Sequence, residues 1–153
     1  DFCLSRGLGD VYKRQDKIVS FLNSFPRNRL IISKNNFNLE EINWMNIGKL
    51  VALELSNLDK KKIVFKINQL LDEIIVKNKI QHKEFGETIA IENIGLLLEP
   101  ELKFNVEKFL SDYSQNNTLI LKWEGEIDTN QLYFLTKNDN YKIDLNNLSH
   151  IVI

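Results

Sequence analysis

Two short apolar runs constrain this chain most: TIAI at Thr88–Ile91 and TLILKW at Thr118–Trp123. A strand that is apolar at consecutive positions buries both of its faces, so it belongs inside a covered sheet. Leu30, Ile31 and Ile32 make a third run of this kind. Helical patterns lie between the runs. Ile63, Ile67, Leu70, Leu71, Ile74 and Ile75 recur at spacings of three and four, which predicts a helix over Ile63–Val76. Lys77-Asn78-Lys79 suits its carboxyl end, where the helix dipole favours cations. Strands separated by helices imply a mainly parallel sheet with helices packed on it. Leu30–Ile32, Thr88–Ile91 and Thr118–Lys122 are therefore predicted to be parallel neighbours in one α/β sheet.

The remaining patterns are shorter. Ile18, Val19, Phe21 and Leu22, with Phe25, predict an amphipathic helix over Asp16–Asn23 that Pro26 ends. Asn38 is expected to cap a short helix holding Glu40 and Glu41, with Glu41 at the third position. Ile42, Trp44, Met45 and Ile47 add apolar surface, and Gly48–Leu58 reads as helical. His82 falls in a polar connector, as a surface histidine. Val106, Phe109, Leu110 and Tyr113 predict a helix to about Ser111, followed by a polar loop at Ser114–Asn117. Glu124-Gly125-Glu126 breaks the strand before it. Leu132–Leu135 and Tyr141–Leu145 read as strands joined by a turn at Lys137–Asn140 and set antiparallel at the sheet's edge. Ile151–Ile153 reads as a final strand.

Ser5–Gln15, SRGLGDVYKRQ, back-translated in one frame, resembles the transposase adaptor used in making sequencing libraries. Residues 1–15 are therefore expected to be a non-native leader that adds nothing to the fold. The domain is expected over residues 16–153, with its natural start missing. The whole chain has a formal net charge of −1. Setting aside the leader, with its three basic and two acidic residues, leaves −2, which gives no global pull toward DNA or a membrane. No run approaches the ~18 apolar residues of a membrane span. Cys3, the only cysteine, lies in the leader, so the domain offers no disulfide or thiolate. That agrees with a cytoplasmic protein. His82 and His150 are the only histidines, and no metal site is predicted.

Open α/β sheets place their sites just past the carboxyl ends of central strands. Glu92 and Asn93 stand there after Thr88–Ile91. In P-loop ATPases an acid at this place holds magnesium or water. Glu92 is the candidate catalytic acid, expected near Ser33–Asn36 and Trp123. The phosphate loop of such enzymes would follow Leu30–Ile32. This chain instead reads SKNNFNLEE from Ser33, with no glycine and no Lys-Ser or Lys-Thr pair. Ser33, Lys34, Asn35, Glu92, Asn93 and Trp123 are the nucleotide-binding candidates. Arg27, Arg29 and Lys34 are the candidates for a local nucleic-acid patch.

The stretches INWMNIGKLVALELSNL, TIAIENIGLLLEPELKFNVEKFL, TLILKWEG and LYFLT, in that order, resemble the small P-loop-containing proteins of BREX bacteriophage-defence systems. The likeness runs over roughly Arg29–Leu145. It implies a three-layer P-loop NTPase-like (RecA-like) fold, with Glu92 at the acidic Walker B position and Trp123 and Gly125 closing the later strand. It also implies a degenerate Walker A, with Ser33–Asn36 in place of the loop. The partners it implies are other proteins of a phage-defence system, with DNA reached indirectly. Three functions stay open: an adaptor without cofactor or hydrolysis, an NTPase that is weak or completed by a partner and uses Mg-ATP, and a nucleic-acid-binding module.

Overall fold

The computed structural model describes residues 2–34, 41–134 and 142–153, with side chains from Tyr12 onward. Helix α1 (Phe2–Asn23) leads into β1 (Leu30–Ser33). Strand β2 (Trp44–Asn46) runs directly into α2 (Ile47–Leu55), and α3 (Lys60–Asn78) follows. The hairpin of β3 (Ile80–His82) and β4 (Gly86–Glu92) comes next. Two 3₁₀ turns, Gly95–Leu98 and Pro100–Leu102, then lead to α4 (Val106–Asn116) and β5 (Thr118–Lys122). The chain ends with β6 (Glu126–Asp128), β7 (Gln131–Tyr133), β8 (Lys142–Asp144) and β9 (His150–Val152).

The main sheet has the order β2-β4-β5-β1-β9, with every pair along it parallel. The three apolar runs are its centre, as the sequence predicts. Among the described residues, β3 is the one antiparallel strand of this sheet. It pairs with Gly86–Thr88, while β2 pairs with Ala90–Glu92, so the two share the edge of β4 that faces away from β5. The antiparallel strands expected at the sheet's edge form a separate sheet, β6-β7-β8.

The period-two alternation of strands divides the core into two. Leu30, Ile32, Ile89, Ile91, Leu119 and Leu121 point to one face. There they meet Ile47 and Val51 of α2, Ile67, Leu71 and Ile75 of α3, and Phe109 and Leu110 of α4. Leu132 and Ile143 of the small sheet join the same cluster. Ile31, Ala90 and Ile120 point to the other face, under Ile18, Val19, Phe21 and Leu22 of α1. Full burial of such side chains contributes about 1.5–3 kcal/mol each, which is why both faces of the sheet are apolar.

Several expectations are corrected. Trp44–Asn46 is a strand rather than apolar surface leading into a helix: the carboxyl half of β4 offers it an open edge, which outweighs local propensity. Glu41 sits in a turn with φ of 64°, outside any helix. Phe25 lies beyond α1 and is 91% exposed, so it is not on that helix's apolar face. Helix α4 continues through Asn116, into the expected polar loop, because Ser114 turns inward to bond with Asn28. Glu126 starts β6 instead of only ending β5. His82 is buried, at 3% exposure, with its ring stacked 4.1 Å from Phe85. Its Nδ1 accepts the backbone N–H groups of Glu84 and Phe85. Asn38, Glu40, Leu135, the Lys137–Asn140 turn and Tyr141 lie outside the described residues. Helix α1 is continuous from Phe2 through the expected start at Asp16.

Candidate functional site

The carboxyl end of the parallel sheet is built by strand register. Ile91 pairs with Leu121, and Lys122 pairs with Ser33. Glu92 therefore stands beside Lys122, and both side chains project on the α1 side of the sheet, two residues beyond Ala90 and Ile120. Lys122 Nζ lies 3.3 Å from Glu92 Oε2, with the side chains 18% and 28% exposed. The ammonium also sits 5.9 Å from the centroid of the Trp44 ring, on the neighbouring edge strand. The carboxylate is thus held in an ion pair within the sheet's own surface.

Beside it, Asn93 turns the chain out of the strand with φ of 57°. A short polar side chain tolerates this left-handed conformation. Its Nδ2 donates to Asn46 Oδ1 at 2.9 Å, and its carbonyl accepts Gly48 N–H at 2.9 Å. Asn46 is itself the N-cap of α2, accepting from Lys49 N–H. A Cβ on Gly48 would lie 2.5 Å from Asn93 Nδ2 and 2.8 Å from its carbonyl oxygen, so only glycine allows this approach. The exit of β4 and the start of α2 are locked together there.

Trp123 belongs to the opposite face. It is buried against the larger core, and its Nε1 donates to the Tyr133 carbonyl at 3.2 Å. Its backbone N–H donates to Ser33 O at 2.9 Å. The indole tethers the small antiparallel sheet to the end of the large one. Next to it is a cavity of about 270 Å³, walled by Asn93, Ile94, Gly95, Trp123, Gly125 and Phe134. Lys122 and Glu124 also line it.

The sequence-predicted residues divide as follows. Glu92, Asn93, Ser33 and Trp123 gather at one end of the sheet. Lys122 separates Glu92 from Ser33, and Trp123 faces away from Glu92. Ser33 is buried and Lys34 is exposed, with Lys34 N–H donating to the Ile153 carbonyl. Asn35 lies outside the described residues. Arg27 and Arg29 precede β1, whereas Lys34 follows it. A four-residue strand, about 13 Å long, separates them, so the three do not form one patch. Among the described residues, no group of three or more histidine, cysteine, aspartate or glutamate side chains is placed to hold a metal.

Lys122, Asn46, Gly95 and Phe134 are absent from the sequence-derived site. Lys122 carried a signal: it is the first charge at the carboxyl end of one central strand, as Glu92 is of the other. Among the described residues, no helix is long and apolar enough to cross a membrane. Comparison with protein-family models, with curated proteins and with solved structures finds no match to the chain.

Proposed function

We propose that this chain is a non-enzymatic, protein-binding adaptor on a parallel α/β scaffold. Following its resemblance to the small BREX proteins, we assign it to the cytoplasm as an accessory part of a bacteriophage-defence assembly on a degenerate P-loop NTPase-like fold. One observation carries the reading. The acid that would have to face Mg-ATP is engaged by Lys122 in the adjacent strand, at 3.3 Å. A magnesium–phosphate site needs carboxylates together with phosphate-cradling backbone donors. The stretch after β1 has no glycine to form such a cradle. The pocket beside the pair is open to a partner, and the rest of the sheet's carboxyl end is locked by structural bonds.

The test is turnover. Purified protein with Mg-ATP is expected to release no phosphate above background, and Glu92→Gln is expected to change nothing. Turnover by the isolated protein that disappears in Glu92→Gln would overturn the adaptor reading. Turnover only with neighbouring gene products, and dependent on Glu92, would establish the partner-completed NTPase instead.

A further inference from the structure

The cavity beside Trp123 is small. Ligand pockets for whole small molecules measure roughly 300–1,000 Å³, and this one is about 270 Å³. Its walls are Asn93, whose amide is engaged by Asn46, with Ile94, Trp123, Phe134 and two glycines that cannot be enlarged without collision. A Cβ on Gly95 would lie 2.3 Å from the Phe134 ring, and one on Gly125 would lie 2.0 Å from the Tyr133 carbonyl oxygen. The walls therefore admit an apolar group.

Among the described residues, the unpaired charge near this opening is negative. Lys122 is neutralised by Glu92. Glu124, which lines the cavity, and Glu126, outside the lining and two residues on at the start of β6, are both exposed, and neither makes an ion pair among the described residues. Both stand on the outermost strand of the small sheet or in the turn leading into it. The rim therefore favours a cationic neighbour on either side of an apolar anchor.

The geometry points to a docking site for a partner's extended peptide segment, with one aliphatic side chain in the cavity and flanking arginine or lysine against Glu124 and Glu126. This inference rests on the adaptor reading and names the chemistry of its partner. A bulky apolar anchor in a desolvated pocket supplies most of the affinity in such contacts, and the rim charges supply selectivity.

The probe is a capped, fluorescein-labelled peptide with one leucine between two pairs of arginines, followed by anisotropy. Binding with a Kd on the order of 10–100 μM, weakening with salt, is expected. Glu124→Lys combined with Glu126→Lys is expected to weaken it at least about tenfold, a loss of about 1.4 kcal/mol, with the thermal midpoint unchanged. Replacing the leucine with glycine is expected to do the same. Failure of the arginine–leucine peptide to bind at about 1 mM, equal binding of a peptide with glutamates in place of the arginines, or indifference to the double charge reversal would each overturn the site. Those failures, with phosphate release still at background, would leave the adaptor reading standing.

Discussion

The two ends of the parallel sheet treat their polar groups in opposite ways. At the amino end they are sealed. Asn28 is buried, and its side chain donates to Ser114 Oγ at 3.0 Å and to the Ser111 carbonyl at 3.2 Å. Its backbone N–H and carbonyl both bond the Ser149 hydroxyl, at 2.7 and 2.8 Å, tying the start of β1 to the start of β9. Thr118 donates to the Phe85 carbonyl at 2.8 Å, over the buried His82–Phe85 stack. At the carboxyl end Ser33 is buried, but Glu92 and Lys122 are half-exposed, beside a cavity. A buried polar network needs every partner in place, so it fixes architecture. A pocket beside half-exposed groups leaves surface open to another molecule, so it can recognise something.

That contrast orders the effects of substitution. Asn28→Ala is expected to cost the most, about 3 kcal/mol in urea unfolding, because it removes a buried side chain that donates to the buried Ser114 hydroxyl and to the half-buried Ser111 carbonyl. A loss no larger than that of a carboxyl-end variant would erase the difference between the ends. Gly125→Ala comes next, at about 2 kcal/mol, since its Cβ must displace the Tyr133 backbone or the Trp123 indole. It should also abolish peptide capture at the cavity, which Asn28→Ala should leave intact once folded.

Glu92→Gln is expected to cost about 1 kcal/mol. Its pair with Lys122 lies between a surface bridge and a buried one. A cost above about 3 kcal/mol would move the carboxyl end into the sealed class. Away from both ends, Tyr113 supplies a small pH-dependent effect. Burial, then its hydrogen bond to Asp72 and the charges of Asp72 and Asp112, push the phenol well above its ordinary value of 10.0. The folded state keeps this proton where the unfolded chain has released it. Its contribution is therefore complete below about pH 10 and is lost as pH rises beyond that. Tyr113→Phe should cost under about 1 kcal/mol at neutral pH and flatten the alkaline decline measured by urea midpoints.

The central strands and α3 were legible in the sequence because their signal is local. Apolar runs of strand length and a three-four spacing need no knowledge of partners. What escaped depends on register or on neighbours. Trp44–Asn46 is only three residues long and merges into the apolar pattern of α2. His82 looked like a surface residue because its hydrogen-bond donors and stacking partner come from the hairpin turn itself. Ser114 read as loop because its burial is set by Asn28, eighty-six residues away. Glu92 was placed correctly at the end of β4, but its engagement by Lys122 follows only from the pairing of Ile91 with Leu121.

Calorimetry with Mg-ATP tests the central claim most directly, because it asks whether Glu92 serves the sheet or a nucleotide. With Glu92 bound to Lys122 and no glycine cradle after β1, titration of Mg-ATP into the wild-type protein is predicted to give no saturable heat. Glu92→Gln is predicted to give the same flat trace. Saturable binding in the micromolar range that is lost in Glu92→Gln would show the carboxylate leaving Lys122 for the metal, and would contradict the account.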